Sequence, residues 1–253
     1  MSIARSSPKQ REILQRDTRI LEAAREMLLE RGYFGLTMDR LAAASNFPKG
    51  TLYQRFGCKE DIILALALRS LEQRSAMMAR AAVFRGMTRE RVLALGEAVA
   101  LFARLYPDES RILHTATGPI REKASIERVT ALRDKEHEAV GMLHALLEEA
   151  VAKGELLLGR DGATTEEMAF GIWALADGSF TLIESGVPTH SLGIEDPFTR
   201  MSRAFNVLAD GYGWHPLFHE RDWDEMLAEV RRTIFPEEAQ AVYGAGNWYG
   251  DKK

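Results

Sequence analysis

The sequence has little cysteine and no long apolar run, and each absence excludes a class of protein. Cys58 is the only cysteine, so neither an internal disulfide nor a multi-cysteine zinc site can form. No apolar run approaches the ~18–20 residues that cross a bilayer, and the first ten residues lack the apolar block of a secretory signal. These absences favour a cytoplasmic protein.

Common catalytic motifs are absent as well. The chain contains no Gly-x-Ser-x-Gly, no His-Glu-x-x-His, no phosphate-binding loop and no Gly-x-Gly-x-x-Gly. His137 and His144 share a predicted helix face, but no third ligand is fixed nearby, so we predict no metal site. The sequence therefore predicts neither an enzyme nor a cofactor.

Charge is distributed unevenly along a chain of otherwise ordinary globular composition. Residues 1–59 hold 11 Lys and Arg against 6 Asp and Glu, a balance of +5. The remaining 194 residues hold 22 against 31, a balance of −9, and the two give the overall charge of −4. A basic segment on an acidic body indicates that the first part meets a polyanion.

Helical periodicity dominates the whole sequence. Apolar residues recur at spacings of three, four and seven, and no run alternates with period two long enough to indicate a strand. Segments rich in Gly, Pro, Asp and Ser separate the helical stretches. We therefore predict an all-α protein with a three-helix head (1–59), a larger helical body (60–213), and an extra C-terminal helix and tail (214–253).

The stretch "NFPKGTLYQRF", residues 46–56, is the most informative part of the head. Thr37 is predicted to cap a short helix before it, and Asn46 suits a turn that needs positive φ. Leu52 and Phe56, four residues apart, can anchor the second short helix to the head, while its polar side chains point outward. This pattern predicts a helix-turn-helix whose second helix enters the major groove of DNA.

The outward residues have the chemistry of DNA contacts. Lysines neutralise phosphates, hydroxyls bind phosphates or base edges, and a glycine lets the backbone approach the duplex. Gln54 is suited to adenine, and Arg55 to guanine or a phosphate. The predicted DNA-contact set is Thr37, Arg40, Lys49, Gly50, Thr51, Tyr53, Gln54, Arg55 and Lys59.

The run "GYFGLTMDRLAAASNFPKGTLYQRFGCKEDII" resembles the N-terminal signature of the tetracycline-repressor-like (TetR) family, over roughly residues 13–63. The resemblance implies a homodimeric regulator with a DNA-binding head and a divergent effector-binding body. On matching positions it implies DNA contacts at Thr37, Lys49, Gly50, Thr51, Tyr53 and Lys59. Asn46, Pro48 and Cys58 depart from the family pattern, and Pro48 makes capping of the recognition helix less secure.

The resemblance also implies that two long helices of the body pack against their copies in the dimer. From their position in the chain, we assign residues 164–185 and 196–212 to these two helices, and small residues there allow close helix approach. These stripes could instead be buried within one subunit. The predicted interface residues are Gly171, Ala174, Gly178, Met201, Phe205 and Leu208.

A small-molecule pocket is expected in the body because the resembling family binds effectors there. Ligand pockets combine an apolar lining with a few polar anchors. The candidate lining residues are Phe102, Tyr106, His114, Trp173, Asp177 and Phe180.

Three further segments leave alternatives open. The N-terminal "ARSSPKQREILQR" is either a frayed extension of the first helix or a basic arm for the minor groove. Cys58 is either incidental or a redox switch whose pKa is lowered by Lys59. Residues 215–253 contain an amphipathic helix that covers the pocket or extends the interface, followed by an end, "YGAGNWYGDKK", that we expect to be loosely ordered.

These patterns together predict a transcriptional regulator, most often a repressor, that releases a palindromic operator when a small molecule binds the body. A DNA-binding regulator that needs no ligand, or an architectural protein, is the alternative. The sequence does not identify the effector.

Overall fold

The computed structural model describes residues 8–158, 163–186 and 188–249, and nearly all of its regular structure is α-helical. One isolated antiparallel bridge joins Leu156 to Trp214. In the described ranges, no helix has both the length and the apolar content that a membrane span requires. The α-helices are α1 (Pro8–Gly35), α2 (Met38–Ser45), α3 (Lys49–Arg55), α4 (Lys59–Ala81), α5 (Thr88–Leu105), α6 (Pro107–Thr115), α7 (Gly118–Arg121), α8 (Ile126–Ala152), α9 (Thr165–Glu184), α10 (Pro197–Gly211), α11 (Trp223–Thr233) and α12 (Pro236–Tyr243).

The chain packs as two units that differ from the predicted domains. The head unit comprises Met1–Leu71 and Asp108–Lys135, and the body unit comprises Glu72–Pro107 and Glu136–Lys253. The predicted boundary at residue 59 followed the end of the motif, but the head core also takes in Ile112, Ile120 and Leu132. Residues distant in sequence thus complete the head, which a local motif cannot reveal.

The head core is apolar and places the short helices. Leu52 of α3 is fully buried, and Phe56 just after α3 is 2% exposed. Each such side chain contributes about 1.5–3 kcal/mol when fully buried. Gly32 has a φ of 66° and a ψ of −175°, so the chain breaks its helical path there before one further turn to Gly35. A side chain at Gly32 would be strained, and this break turns the chain towards α2.

The predicted turn chemistry between α2 and α3 is confirmed. The Thr37 hydroxyl accepts a hydrogen bond from the backbone N–H of Arg40 at 3.3 Å and so caps α2. Asn46 ends α2 with a φ of 58° in the left-handed region. Pro48 precedes α3 without any side-chain cap hydrogen bond, as its chemistry requires.

Polar contacts fasten the later segments of the head unit to its helix-turn-helix. Arg25 of α1 donates to Glu109 of α6 at 2.6 Å, and Glu109 also accepts from the Ser70 hydroxyl at 2.5 Å. Asp61 accepts from the backbone N–H of Gly57 and from that of Ser125. These bonds fix α6 and the start of α8 to α1 and α4.

In the body unit, α5 is the helix on which three later helices pack. α10 packs against both α5 and α9, while α11 and α12 pack against α5 and against each other. Trp214, after α10, is fully buried, and its indole N–H donates to the Thr88 hydroxyl at 3.0 Å. The same hydroxyl donates to Glu155, which places the end of α8 beside the start of α5.

The C-terminal extension is docked by arginines. The guanidinium of Arg89 is buried and donates to five acceptors: Asp210, the Asn206 side chain, and the carbonyl oxygens of Asn206, Trp214 and Pro216. Arg231 of α11 binds Glu97 of α5 at 2.7 Å, and both side chains are buried. Arg80 of α4 binds Glu238 of α12.

The extension contains two helices where one was predicted, and its end is more ordered than expected up to residue 249. Pro236 begins α12 directly after α11, because proline suits a first helical position. The carbonyl of Trp248 accepts from Arg231 at 2.8 Å, and the Tyr249 hydroxyl donates to Glu225. Residues 250–253 lie outside the described residues, as do residues 1–7 of the N-terminal segment.

Candidate nucleic-acid interface and body cavity

α3 buries one side chain and presents its polar residues outward. Leu52 is fully buried, whereas Tyr53 is 48% exposed and Gln54 and Gly50 are also exposed. Thr51 is half-buried. A Cβ added at Gly50 would meet no atom within 4 Å, so the backbone there is open to a close approach.

Lys49 is paired at the surface. Its ammonium lies 2.5 Å from Asp39 of α2, and that carboxylate raises the pKa of Lys49. The same ammonium lies 5.9 Å from the centre of the Tyr53 ring. Because both partners of the pair are well exposed, a phosphate can replace Asp39 at little cost.

Arg55 is held more firmly than the sequence predicts. Its Nε donates to Asp17 of α1 at 2.8 Å, and a second nitrogen donates to the other carboxylate oxygen. This two-point ion pair raises the pKa of Arg55 and joins the end of α3 to α1. The arrangement favours a bracing role, whereas the sequence predicted a base or phosphate contact.

Lys59 also has partners within the head unit. Its ammonium donates to the carbonyl of Tyr33 at 2.9 Å and lies 3.7 Å from the centre of that ring. The Tyr33 hydroxyl donates to Glu60 at 2.5 Å, and this hydrogen bond raises the pKa of Tyr33. Tyr33, Asp17 and Asp39 could not be predicted as partners, because each lies on a different helix from the cation it binds.

The remaining predicted DNA contacts lie at or near the start of α2. Arg40 is exposed and donates to the carbonyl of Gly35 at 3.0 Å. Thr37 is half-buried and its hydroxyl is used as the helix cap.

Cys58 does not have the environment of an activated thiol. Burial raises its pKa, and its thiol donates to the carbonyl of Lys123 at 3.4 Å. Of the two alternatives for Cys58, the redox switch required a lowered pKa, so this environment favours an incidental thiol.

The body unit contains a cavity of about 440 Å³, within the usual range for small-molecule sites. Its walls come from α5, α9, α10 and the C-terminal extension. The apolar side includes Val92, Leu93 and Ile172, and the charged side includes Arg104 and Asp196, which pair at 2.6 Å.

None of the six predicted pocket residues lines this cavity. Phe102 and Phe180 are buried in the body core, and Phe180 packs on Phe198 with ring centres 5.7 Å apart. Trp173, Asp177 and Tyr106 are exposed. His114 belongs to the head unit, where its ring nitrogen lies 2.9 Å from the Ser110 carbonyl. The prediction missed the cavity because the extension that forms one wall carries no recognisable motif.

The six predicted interface residues of α9 and α10 divide into residues buried or packed within the subunit and residues that are exposed. A Cβ on Gly171 would lie 4.0 Å from Leu208, so these two residues face each other within the subunit. Phe205 is buried against Trp214, and Met201 lines the cavity. Ala174 and Gly178 are exposed, on the same side of α9 as the exposed Phe170, Trp173 and Leu182. We call Phe170, Trp173, Ala174, Gly178 and Leu182, with Val207 of α10, the bare face.

A capped short helix, a left-handed turn and a second helix with a polar exposed side form a helix-turn-helix, the arrangement that many DNA-binding proteins use. Residues 20–66 match the family described as "Bacterial regulatory proteins, tetR family". The helix-turn-helix of this chain therefore resembles that of the TetR family, and the match does not extend into the body unit.

Three known proteins illustrate the relationship. The chain is 46% identical over 48 residues to the HTH-type transcriptional repressor AcnR of Corynebacterium glutamicum, which covers 19% of this chain and 26% of AcnR. It is 24% identical over 173 residues to an uncharacterized HTH-type transcriptional regulator of Mycobacterium tuberculosis, covering 68% of this chain and 77% of the relative. The structure of the transcriptional regulator FadR from Bacillus subtilis in complex with stearoyl-CoA matches with a TM-score of 0.57 at 17% identity, covering 77% and 98%.

Proposed function

We propose that this protein is a homodimeric repressor that binds a palindromic operator and releases it when a small molecule occupies the body cavity. The observation that carries the proposal is α3, which is anchored by Leu52 and presents Lys49, Tyr53 and Gln54 outward. In a dimer, two such helices would enter successive major grooves about one helical turn apart.

The exposed groups of α3 support contact with the DNA backbone. Lys49 is half exposed and its only ion-pair partner among the described residues, Asp39, is 75% exposed. Tyr53 and Thr51 supply hydroxyls on the same helix, and Gly50 leaves the backbone accessible. Such groups set the register of a protein on the duplex, while Gln54 is placed to read a base edge.

The bare face supports dimerisation. Phe170 is 67% exposed, Trp173 52%, and Val207 66%, and these side chains lie on two helices that pack against each other. Exposed apolar side chains that recur on one side of a helix are typical of interaction sites, and small residues between the large ones allow helices to approach closely. A second copy of the chain is the partner that the palindromic operator requires.

The cavity supports control by a ligand. A structural neighbour, FadR from Bacillus subtilis, is in complex with stearoyl-CoA. A ligand of the present chain would act by binding more tightly to the conformer whose heads are wrongly spaced for the operator. The alternative, a regulator that needs no ligand, predicts that no compound bound by the cavity changes operator affinity.

The experiment compares two exposed ion pairs of the head unit. An operator is first selected from a random duplex library, and its affinity is then measured by fluorescence anisotropy. Lys49→Ala should weaken binding and lower the slope of log affinity against log salt by about one, because one phosphate contact is lost. Arg69→Ala removes a similarly exposed cation, which pairs with Glu22 at 3.0 Å away from α3, and should change neither quantity.

Two outcomes would contradict the proposal. Equal effects of the two substitutions would mean that α3 is not the docking face. Failure of the wild-type protein to select any duplex at low ionic strength would remove the DNA-binding function altogether.

A further inference from the structure

The body cavity has a wall that the C-terminal extension provides. Phe218, Arg221, Trp223 and Leu227 line it from one side, together with Tyr243 of α12 and Tyr249. Burial and the neighbouring Glu97 raise the pKa of Tyr243 to about 12, so its hydroxyl stays neutral. The extension thus closes a space against α5 and α10.

A glycine keeps the centre of the cavity open. Gly96 lies in the middle of α5, where glycine is less favourable than alanine, and it lines the cavity. A Cβ at this position would meet no atom within 4 Å. With Val92, Leu93 and Ala100 beside it, this part of the wall suits an apolar, flat body.

The carboxylates of the lining already have hydrogen-bond donors. Glu97 accepts from Arg231, and Asp222 accepts from the backbone N–H of Glu225. Asp196 accepts from Arg104, from the backbone N–H of Phe198 and from the Thr199 hydroxyl. Asp224 is exposed at the start of α11. The buried acidic groups therefore need no cationic ligand.

Three of the five arginines of the lining, in contrast, have donors that no acidic residue uses, whereas Arg221 pairs with Glu90 and Arg231 with Glu97. The Nε atom of Arg104 is buried and has no hydrogen-bond acceptor among the described residues. A buried donor without an acceptor is unfavourable, and a ligand that supplies the acceptor removes this penalty. Arg200 and Arg203 also line the cavity, and neither forms an ion pair with any residue that the structure describes.

We propose that the cavity binds an organic anion with an aromatic or similarly flat apolar body, whose acidic group is bound by Arg104 with Arg200 and Arg203. Asp196 and the Phe198 ring, 4.5 Å from the guanidinium carbon, hold Arg104 in place. The acidic group faces α5 and α10, and the apolar body lies along Gly96 beneath the extension. This inference rests on the proposed function only for its regulatory consequence, because binding is measured without DNA.

The test uses two fluorescent probes that differ in one group. Anilinonaphthalenesulfonate is an aromatic anion, and N-phenylnaphthylamine has the same aromatic groups without the sulfonate. Arg104→Gln should weaken sulfonate binding by about tenfold or more, since hydrogen bonds to charged groups contribute roughly 1.5–3 kcal/mol. Binding of the neutral probe should change by less than about twofold, because its apolar contacts remain.

A matched control and a second variant complete the design. Arg91→Gln removes an arginine of the same helix with equal side-chain exposure, paired with Glu149 at 2.8 Å and outside the lining, and should leave both probes unaffected. Gly96→Leu adds a side chain to the apolar wall at a position where a Cβ meets no atom within 4 Å, and it should weaken binding of both probes because it occupies space that their aromatic groups need.

Three results would overturn the proposal: equal loss of both probes in Arg104→Gln, no loss of the sulfonate in that variant, or unchanged sulfonate binding in Gly96→Leu. Failure of the proposed regulatory function would give a different result from failure of the proposed binding site. In that case sulfonate binding would still depend on Arg104, while the probe would leave operator affinity unchanged.

Discussion

The two units place similar residues in opposite environments. In the head unit, Lys49 and Arg55 lie at the surface while Phe56 is buried. In the body unit, Arg89 and Arg231 are buried while Trp173 is exposed. Burying a cation is costly unless it is paired and hydrogen-bonded, so the arginines of the body must serve the fold.

The head unit and the body unit therefore expose different kinds of surface. A head that exposes cations on an apolar core is suited to a polyanion, whereas a body that exposes apolar side chains is suited to another protein surface. The same contrast explains why the net charge of the whole chain conceals the DNA-binding part. The three predictions below test the contrast in order of decreasing expected effect.

The largest effect is expected at Arg89. Arg89→Met removes a fully buried guanidinium and leaves five acceptors without their donor, including the Asp210 carboxylate. The free energy of unfolding of the body unit should fall by about 3–5 kcal/mol. Urea unfolding followed by tryptophan fluorescence measures this, because all four tryptophans of the chain lie in the body unit.

The control for Arg89 is a half-exposed arginine that also docks the extension. Arg80→Gln removes the pair with Glu238, and because Arg80 is 47% exposed we expect a loss of about 1 kcal/mol or less. If the two substitutions lower the free energy of unfolding by the same amount, burial does not distinguish the arginines of the body. The claim that the buried arginines of the body serve the fold would then be wrong.

The body was predicted from the sequence only in outline. Helical periodicity identified its long helices, because the spacing of apolar residues is a local property. The cavity and the docking of the extension were not predictable, since Arg89 meets Asp210 and Arg231 meets Glu97 across more than a hundred residues. Ion pairs of this kind leave no periodic signal, and the extension was read as one helix where two are present.

The second prediction concerns the bare face. Trp173→Asp places a charge at the proposed dimer contact, and the dimer should weaken by at least about thirtyfold, since a buried aromatic anchor contributes 2 kcal/mol or more. Sedimentation analysis measures the dissociation constant. The helix itself should persist, because Trp173 is 52% exposed and makes a small contribution to the core.

Val83→Asp is the matched control for the dimer. Val83 is 71% exposed in the body unit and does not belong to α9 or α10, so a charge there should leave dimerisation unchanged. An unaffected dimer in Trp173→Asp would assign the bare face to another partner. The apolar exposure of the body would then have a different explanation from the one proposed.

The head was predicted in more detail than the body because its structure depends on neighbouring residues. The Thr37 cap, the left-handed Asn46 and the burial of Leu52 and Phe56 each follow from a short stretch of chain. The partners of the outward cations did not follow, because Asp17, Asp39 and Tyr33 come from other helices. Sequence reasoning therefore placed α3 with its polar side outward but not the contacts that orient it.

The smallest effect is expected at Arg55, where the two interpretations differ. If Arg55 braces α3 through Asp17, then Arg55→Ala, Asp17→Ala and the double substitution should weaken operator binding equally, by less than about tenfold, because each removes the same ion pair. Stability should change by about 1 kcal/mol or less, since the Arg55 side chain is 42% exposed.

If Arg55 instead contacts DNA, only its own removal weakens binding, and Asp17→Ala leaves affinity unchanged or higher by freeing the cation. Anisotropy titrations of the three variants decide whether Arg55 stabilises the position of α3 or contacts DNA. In the second case, Arg55 joins Lys49 among the cations that bind the duplex.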